Sequence, residues 1–361
     1  MKLIQDFNVF NKRVLVRCDF NVPLDEKGNI LDDFRIRKTL PTIEYLIKNK
    51  AKIILISHLG RPVKELDKKK MSLKPVALRL GKLLGRNHKK IIFLKNCIGK
   101  ENKQVIEKMK LGNIVILENL RFYKQEIESN LKSADFFAKK FVKIGDIYIN
   151  DAFAVCHRKH SSIIKIPRYL PSGVGFLLQQ ELNVLGNLKQ NCVKPFVMII
   201  GGKKAKTKAK MINKISNQCD NVLIGHLIEK EIKRKKIKIR EKEKIIVPID
   251  AKLYNGKELD IGNKTIDLFK EKISKAKTIF WNGQLGMTED KEFANGSLEI
   301  AKAIIQSNAH SVVGGGDTVA FLKQHNLRNK FDFISTGGGA MLSYLSSEPL
   351  PGIQALENFK N

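Results

Sequence analysis

Short runs of β-branched and apolar residues alternate with amphipathic stretches along most of the chain, and this alternation constrains the fold most. In the first half, "RVLVRCDF" and "AKIILISHLGRP" have the composition of strands, and "RIRKTLPTIEYLIKNK" between them has the periodicity of a helix. Strands that alternate with helices predict βαβ units and parallel sheets. A long helical stretch, "GFLLQQELNVLGNLKQ", then precedes a second strand series that begins at "KPFVMIIGG". At 361 residues the chain is long enough for two α/β domains.

Glycines follow the strands of the second series. Three strand-to-helix junctions contain two or three of them: "VMIIGGKKAKTKAKMI", "SVVGGGDTVAFL" and "FISTGGGAMLSYL". Consecutive glycines cost backbone entropy, so a folded chain keeps them where a Cβ would obstruct a turn or a ligand. Because a helix start offers unpaired N–H groups and a favourable dipole to anions, three such junctions in one domain favour a phosphate-bearing nucleotide over simple tight turns. Neither G-x-x-x-x-G-K-[ST] nor G-x-G-x-x-G occurs, which excludes a P-loop and a standard dinucleotide site.

The strands of the first series end in charged and polar side chains instead. The stretches are "RCDFN", "SHLGR", "LENLRF" and "DAFAVCHRKH", and "DDFRIR" adds Arg35 at a helix start. A single arginine of this kind is more often part of a surface ion pair. Five basic groups at successive strand ends predict a receptor for a small molecule with several negative charges, since guanidinium groups bind carboxylate and phosphate in bidentate fashion. The spacing assigns no task to His160.

Composition limits the remaining classes of function. Five scattered cysteines without a C-x-x-C pair predict reduced thiols, and the N-terminus lacks the features of a signal peptide, so we expect a cytoplasmic protein with no membrane segment. The formal charge of +31 is typical of nucleic-acid-binding proteins, but aromatic residues are not interleaved with the basic runs. Compositional drift towards lysine explains the charge without a new partner, and we expect no specific nucleic acid.

Nine stretches together resemble the phosphoglycerate kinase family, in the family's order from about residue 10 to the C-terminus. They are "RVLVRCDFNVPLD", "DDFRIRKTLPTIEYL", "ISHLGRP", "LENLRFY", "NDAFAVCHRKHSS", "IIGGKKAKTK", "WNGQLG", "VVGGGDTVA" and "STGGGAMLSYL". The resemblance implies two Rossmann-like domains with parallel sheets, joined by an interdomain helix and a hinge. It also implies a monomer that transfers a phosphoryl group reversibly between 1,3-bisphosphoglycerate with MgADP and 3-phosphoglycerate with MgATP, a step of glycolysis.

The resemblance assigns roles to particular residues. Those that match the 3-phosphoglycerate pocket are Asp19, Phe20, Asn21, Arg35, His58, Leu59, Gly60, Arg61, Arg121 and Arg158. Those that match the nucleotide site are Lys204, Lys208, Asn282, Glu289, Gly315, Gly316, Asp317 and Thr318. Asp317 is expected to hold Mg²⁺, partly through the nucleotide phosphates. The implied catalytic residues, which flank the transferred group, are Arg35, Lys204, Gly316 and Gly339.

The predicted domains are residues 1–176, with a C-terminal tail 346–361 packing back on them, an interdomain helix 177–192, and a nucleotide domain 193–345. The sequence departs from the family pattern only in the last of these. Between "DNVLIG" and "KIIVPID" the chain is short, His226 stands where glycine is expected, and a helix beside the adenine pocket is expected to be largely missing. Gln284 replaces a proline, Thr288 an apolar residue, and Lys203 and Lys206 small residues.

These departures leave three hypotheses open. The first is an active kinase with a shortened wall on the adenine side and a raised nucleotide KM. The second is a degenerate family member with weak or no activity, and the third is a basic nucleic-acid-binding protein. We favour the active kinase. It explains both the charged strand ends of one domain and the glycine-rich strand ends of the other, and the other two hypotheses explain neither.

Overall fold

A computed structural model describes residues 1–85, 91–128, 130 and 132–357. The chain divides into two compact units. Unit 1 comprises residues 1–181 together with residues 350–361, of which 358–361 lie outside the described residues, and unit 2 comprises residues 182–349. No helix within the described ranges has the length and apolar character that crossing a membrane requires.

Unit 1 contains a seven-stranded sheet in the order β1-β7-β6-β2-β3-β5-β4, and every pairing is parallel. Its strands are β1 Lys2–Leu3, β2 Arg13–Cys18, β3 Lys52–Ile56, β4 Ile91–Leu94, β5 Ile114–Leu117, β6 Ile147–Asp151 and β7 Ser172–Val174. Its helices are α1 Phe34–Lys48, α2 Glu65–Lys70, α3 Lys74–Leu84, α4 Lys100–Glu107, α5 Lys124–Ile127, α6 Lys132–Val142 and α7 Ser161–Ile164, and α8 Phe176–Gln190 begins here and continues into unit 2. The central strands are buried on both faces, as in other parallel sheets that helices cover on two sides.

Unit 2 contains a six-stranded parallel sheet in the order β10-β9-β8-β13-β14-β15. Its strands are β8 Phe196–Ile200, β9 Asn221–Ile224, β10 Ile245–Ile246, β13 Thr278–Asn282, β14 His310–Gly314 and β15 Phe333–Ile334, and β11 Ala251–Tyr254 forms an antiparallel pair with β12 Lys257–Ile261. Its helices are α9 Ala205–Ile215, α10 His226–Arg234, α11 Asn263–Ser274, α12 Asn295–Gln306, α13 Gly316–Gln324 and α14 Gly338–Leu345. The predicted α/β class with two parallel sheets is confirmed.

The C-terminal segment belongs to unit 1. Helix α15, Pro351–Glu357, packs on α7, and the Gly352 N–H donates to the Cys156 carbonyl at 2.9 Å. A Cβ at Gly352 would lie 2.7 Å from the Ile163 side chain, so this close packing requires a glycine.

One expectation about the shortened segment is wrong. Helix α10, nine residues long, lies between β9 and β10, where the sequence predicts that the helix is largely missing. The dense run of lysines in this segment resembles a solvated loop, but Ile228 and Ile232 are four residues apart and therefore share one helix face. Ile228 is fully buried on that face, and its burial stabilises the helix.

Candidate active site

The predicted substrate residues of unit 1 lie where adjacent strands end. Because β6, β2, β3 and β5 are neighbours and parallel, their carboxyl ends meet at one edge of the sheet. The register is level, since Arg17 in β2 pairs with Ile56 in β3 and with Asn150 in β6. Basic side chains follow these strands or begin α1, and we call them the arginine cluster: Arg35, His58, Arg61, Arg121 and Arg158.

Asp19 and Asn21 connect the loops beneath the arginine cluster. The Asp19 carboxylate lies 2.9 Å from Nη1 of Arg35 and 3.8 Å from Nδ1 of His58. The Asn21 side-chain oxygen accepts from the Gly60 N–H at 2.8 Å, and its backbone carbonyl accepts from Arg35 at 3.0 Å. These contacts hold α1, the β2 loop and the β3 loop in one arrangement, with Phe20 and Leu59 buried below them.

The arginine cluster carries more positive charge than its surroundings balance. Burial, together with the nearby charges of Arg158 and Arg17, lowers the pKa of Arg121 to about 10. Burial also lowers the pKa of Arg158, with a further contribution from Arg61, and the pKa of His58 lies well below its usual value. A multiply charged anion would relieve this repulsion, so the electrostatics favour such a ligand.

A buried network behind the arginine cluster was not predicted from the sequence. Arg17, fully buried in β2, donates to the Ser162 hydroxyl at 2.8 Å and lies 3.7 Å from the Glu126 carboxylate and 3.3 Å from Nδ1 of His58. Glu126, also fully buried, accepts from the Ser162 N–H and hydroxyl at 2.9 and 2.7 Å. His160 completes the network, with Nδ1 3.7 Å from Glu126. The one sequence signal is an arginine inside an otherwise apolar strand, "RVLVRC".

Ser57 and Asn119 hold the strand-end loops in place and were also missed. The Ser57 hydroxyl accepts from the Phe20 N–H and donates to the Cys18 carbonyl, both at 2.9 Å. The Asn119 side chain bonds to both backbone groups of Leu59 and accepts from the Arg121 N–H. The loops that carry the arginine cluster are therefore fixed before any ligand binds.

Glycine-rich loops in unit 2 lead directly into helices. β8, β13 and β14 end level with one another, since Asn282 pairs with Ile200 on one side and Gly314 on the other. A Cβ at Gly338 would lie 3.6 Å from the Gly315 Cα and 3.7 Å from the Gly316 nitrogen. The N-termini of α13 and α14 are therefore adjacent, and their N–H groups and dipoles favour an anion there.

The surroundings of the three glycines in "VVGGGD" differ, so the reason for a glycine differs from one position to the next. A Cβ at Gly314 would lie 2.2 Å from the Met341 sulfur, so this glycine permits helix packing. Gly315 has φ of 106° and a Cβ there would lie 2.9 Å from Nδ2 of Asn282, so this glycine permits the turn. A Cβ at Gly316, the first residue of α13, would meet no atom within 4 Å, so no packing contact of the protein requires a glycine there. The sequence predicts that all three glycines keep side chains away from a bound ligand. Only Gly316 is consistent with that prediction alone, because Gly314 and Gly315 are explained by contacts within the protein.

Two lysines flank the loop after β8. Lys204 is exposed at the N-cap of α9 with φ of 69°, whereas Lys208, one turn later, is buried. The Lys208 ammonium donates to the Gly201 carbonyl and lies 3.5 Å from the Asn282 carbonyl. Burial lowers its pKa to about 8, Asp317 opposes that shift and Lys204 adds to it. Lys208, Asp317 and Lys204 are therefore close enough to interact electrostatically.

Hydrogen bonds connect the β13 loop with α13. Thr318, which is buried, accepts from the Gly283 N–H at 2.9 Å, and Nδ2 of Asn282 donates to the Gly314 carbonyl at 2.8 Å. Gln284, in the place of the family's proline, donates to the Asp317 carbonyl at 3.2 Å.

Glu289, Asp317 and Gly339 are exposed. Within the described ranges no group of three His, Cys, Asp or Glu side chains could hold a metal, so a cation at Asp317 would take its remaining ligands from phosphates and water, as Mg²⁺ commonly does.

The shortened segment is held by His226. Nε2 of His226 lies 3.0 Å from the Asp250 carbonyl, and Nδ1 lies 3.2 Å from the Glu258 carboxylate on β12. Lys230 also pairs with Glu258, at 2.8 Å. His226, at the position where the resemblance predicts a glycine, thus connects α10 to the β11–β12 hairpin.

The phosphoglycerate kinase family model matches residues 4–243 and 226–348. The chain belongs to the phosphoglycerate kinase family. It is 41% identical to phosphoglycerate kinase of Borrelia hermsii over 398 aligned positions, and 39% identical to that of Aquifex aeolicus over 399, with at least 98% of each chain covered. Among solved structures, phosphoglycerate kinase from Pyrococcus horikoshii is similar with a TM-score of 0.86 and 31% identity, and covers 99% of this chain and 98% of its own.

The comparisons also locate the main departure from the phosphoglycerate kinase family. An alignment of 398 positions is longer than a chain of 361 residues, so it contains gaps opposite this chain. The two matches to the family model overlap at residues 226–243, which contain α10 and the following connection. The segment that the sequence identifies as shortened is therefore also where the family match is interrupted.

Proposed function

We propose that this chain is an active phosphoglycerate kinase that transfers a phosphoryl group between MgATP and 3-phosphoglycerate in both directions. Family membership supports the reaction. The single observation that carries the proposal is that guanidinium groups gather at the strand ends of unit 1, whereas helix N-termini and lysines gather at the strand ends of unit 2. A kinase of this type needs one site for a carboxylate-bearing phosphate ester and another for nucleotide phosphates.

In the proposed acceptor site, 3-phosphoglycerate binds the arginine cluster together with Asp19 and Asn21. The lowered pKa values of Arg121 and Arg158 support this role, because a bound phosphate restores the charge balance of the pocket. The network of Arg17, Glu126 and Ser162 acts indirectly, by holding His58 and the loop before α7 in place.

In the proposed nucleotide site, phosphate oxygens accept hydrogen bonds from the backbone at Gly315 and Gly316 and from the ammonium groups of Lys204 and Lys208. Asp317 takes part in holding Mg²⁺, which would neutralise charge on the phosphates when bound. Asn282 and Thr318 shape the loops, and the exposed Glu289 binds the ribose, a role that the family resemblance implies.

In the proposed reaction, a carboxylate oxygen of 3-phosphoglycerate attacks the terminal phosphorus of ATP as the bond to ADP breaks. Arg35 and Lys204 flank the moving group, and the amides of Gly316 and Gly339 donate to its oxygens. No proton has to move, so the residues need only position the reactants and stabilise charge. Since the two sets of residues belong to separate units, we infer that the units close over the substrates before transfer, with the segment near 177–192 as the hinge.

We also propose that the shortened connection after α10 reduces the contacts available to the adenine. Loss of contacts remote from the phosphates raises the nucleotide KM, and also lowers turnover where those contacts help to drive closure. Weak recognition of the base further predicts similar kcat/KM values for ATP and GTP.

The test is a coupled assay with 3-phosphoglycerate, in which MgATP is titrated against the wild type, Lys204→Ala and Lys206→Ala. Lys206 is the matched control, because it is an exposed lysine two positions away in the same segment. We expect turnover that saturates only at high ATP, is lost in Lys204→Ala and is retained in Lys206→Ala. If the wild type shows no turnover at any ATP concentration while circular dichroism shows it folded, the chain is a degenerate family member and the proposal is wrong.

A further inference from the structure

A second positively charged pocket lies in unit 1, apart from the arginine cluster. It has a volume of about 430 Å³, within the range of pockets that bind small molecules. Its walls come from the loop after β4, the first turn of α4 and the end of α6. The lining residues are Cys97, Ile98, Gly99, Lys100, Asn102, Lys103, Lys140, Lys143 and Ile144, none of which belongs to the arginine cluster or to the network behind it.

The charge of this pocket exceeds what a lysine-rich chain provides on average. Four of its nine lining residues are lysines and none is acidic, whereas basic residues are 67 of 361 in the whole chain. Within the described ranges, only Lys103 among the four forms an ion pair, with Glu107 at 3.6 Å. Both side chains of that pair are more than half exposed, and ion pairs of this kind contribute little to stability.

Two acidic residues of α4, Glu101 and Glu107, offset part of this charge, and four lysines against two carboxylates leave an excess of positive charge. The Asp146 carboxylate pairs with Arg13, whose guanidinium also donates to the Lys143 carbonyl at 3.2 Å. The Lys140 ammonium lies 4.3 Å from the centre of the Phe136 ring and is not neutralised by that contact. The pocket therefore keeps a net positive charge that an anionic ligand would balance.

Hydrogen bonds hold the backbone that forms the pocket walls. The Cys97 N–H donates to the Tyr123 hydroxyl at 3.2 Å and the Cys97 thiol to the Glu118 carbonyl at 2.8 Å. The buried side chain of Asn102 donates to the Asn96 carbonyl at 2.7 Å and so fixes the turn that enters α4. No side chain caps the start of α4, so its first N–H groups remain available beside the lysines.

We propose that this pocket binds a small organic anion with two or more negative charges, of the phosphorylated-metabolite class. The lysine ammonium groups and the start of α4 would hold the charged groups. Ile98, Ile144 and the methylene stems of the lysines would contact the carbon body of the ligand. A concave pocket of this size accommodates a compact molecule and not the extended backbone of a nucleic acid.

The test uses methyl NMR of the full chain, with isoleucine δ-methyl groups labelled and those of Ile98 and Ile144 assigned by substitution to valine. Inositol 1,4,5-trisphosphate is the probe, with inorganic phosphate and a short single-stranded oligonucleotide in parallel titrations. Lys100→Gln with Lys143→Gln is the test variant. The matched control is Lys27→Gln with Lys48→Gln, which removes the same charge from exposed lysines of unit 1 that are outside the pocket.

We expect the probe to shift both methyl signals at sub-millimolar concentration, the test variant to weaken that binding by about tenfold or more, and the control to bind like the wild type. Equal shifts in the test variant, or none in the wild type, would overturn the site. If inorganic phosphate shifts the signals at the same concentration as the probe, the organic class is wrong. If the oligonucleotide binds there more tightly than the probe, the ligand is a nucleic acid and the proposal fails.

Discussion

Replacing Lys208 by methionine should stabilise unit 2 and abolish turnover. The side chain is only 5% exposed, and burial lowers the pKa of its ammonium group to about 8 from a usual 10.5. The folded protein therefore keeps a cation that its surroundings disfavour, which is consistent with a group retained to bind phosphate. Methionine is unbranched and apolar and can replace the buried stem of the lysine without the charge.

The magnitude follows from the pKa. Each pKa unit corresponds to about 1.4 kcal/mol, so the depression of the Lys208 pKa represents a cost of about 3 kcal/mol at pH 7. The variant loses hydrogen bonds to the carbonyls of Gly201 and Asn282, and we set about 1–2 kcal/mol against the gain for these. The Asn282 carbonyl still accepts from the Gly201 N–H at 3.1 Å. The net expectation is about 1–2 kcal/mol of added stability at pH 7.

The sign of the pH dependence provides a second check. A lysine whose folded pKa is lowered binds fewer protons in the folded state than in the unfolded state between pH 8 and 10.5. The unfolding free energy of the wild type therefore rises through that window, and the advantage of the methionine variant shrinks by about 2–3 kcal/mol between pH 7 and pH 10.

Urea unfolding followed by tryptophan fluorescence measures this directly, because Trp281 is the only tryptophan and is fully buried in unit 2. Lys210→Met is the control. Lys210 is exposed on the same helix and pairs with Glu348 at 3.0 Å, so its replacement should change stability by less than about 1 kcal/mol. If Lys208→Met lowers the unfolding free energy equally at pH 7 and pH 10, the carbonyls stabilise the ammonium group and the burial argument is refuted.

Three further predictions concern buried charge and backbone geometry. Burial raises the pKa of Asp151 to about 7, so the unfolding free energy of the wild type should fall as the pH rises from about 4 to 7. Calorimetry should show that the unfolding free energy of Asp151→Asn changes less with pH over that window and is higher than that of the wild type at pH 8. Gly315→Ala should cost about 1–3 kcal/mol in fluorescence-detected unfolding and raise the KM for ATP, because φ is 106° and the added Cβ meets Asn282 at 2.9 Å; unchanged unfolding would contradict this. Glu126→Gln removes the carboxylate beside Arg17, so initial rates should give a raised KM for 3-phosphoglycerate and a KM for ATP within about twofold of the wild type. Equal increases in the two KM values would exclude a positioning role for Glu126.

Periodicity and strand-end chemistry were sufficient to predict the class of fold and the location of the candidate residues. Parallel strands align their carboxyl ends, so residues that follow "RVLVRC" and "AKIILI" had to lie near each other whatever the connecting helices do. The same logic explains why the glycines after β8, β13 and β14 could be assigned to one edge.

Burial and long-range pairing could not be predicted in this way. Arg17 and Glu126 are more than a hundred positions apart, and nothing local in either stretch indicates that they share a buried network. Lys204 and Lys208 look alike in "GGKKAKTK", yet one caps a helix in the left-handed region and is exposed, and the other is buried. Helix α10 was not predicted for a different reason. Its apolar face contains only two isoleucines among many charged residues, which is too few to give a clear helical pattern in the sequence.

The position of the shortened segment within the sheet leaves the glycine-rich strand ends of unit 2 in place. In the order β10-β9-β8-β13-β14-β15, the shortened connection joins β9 to β10, which are the last two strands at one edge. The glycine-rich loops follow β8, β13, β14 and β15, which keep all their pairings. A shorter connection between the edge strand β10 and its neighbour β9 leaves these four strands and the helices α9, α13 and α14 that begin after them. Contacts between His226 and Glu258 then connect α10 to the hairpin beside it. The first residues of α10 stay beside the loop after β8, since a Cβ at Gly225 would lie 3.6 Å from the Gly201 Cα, so the shortening falls in the connection after α10.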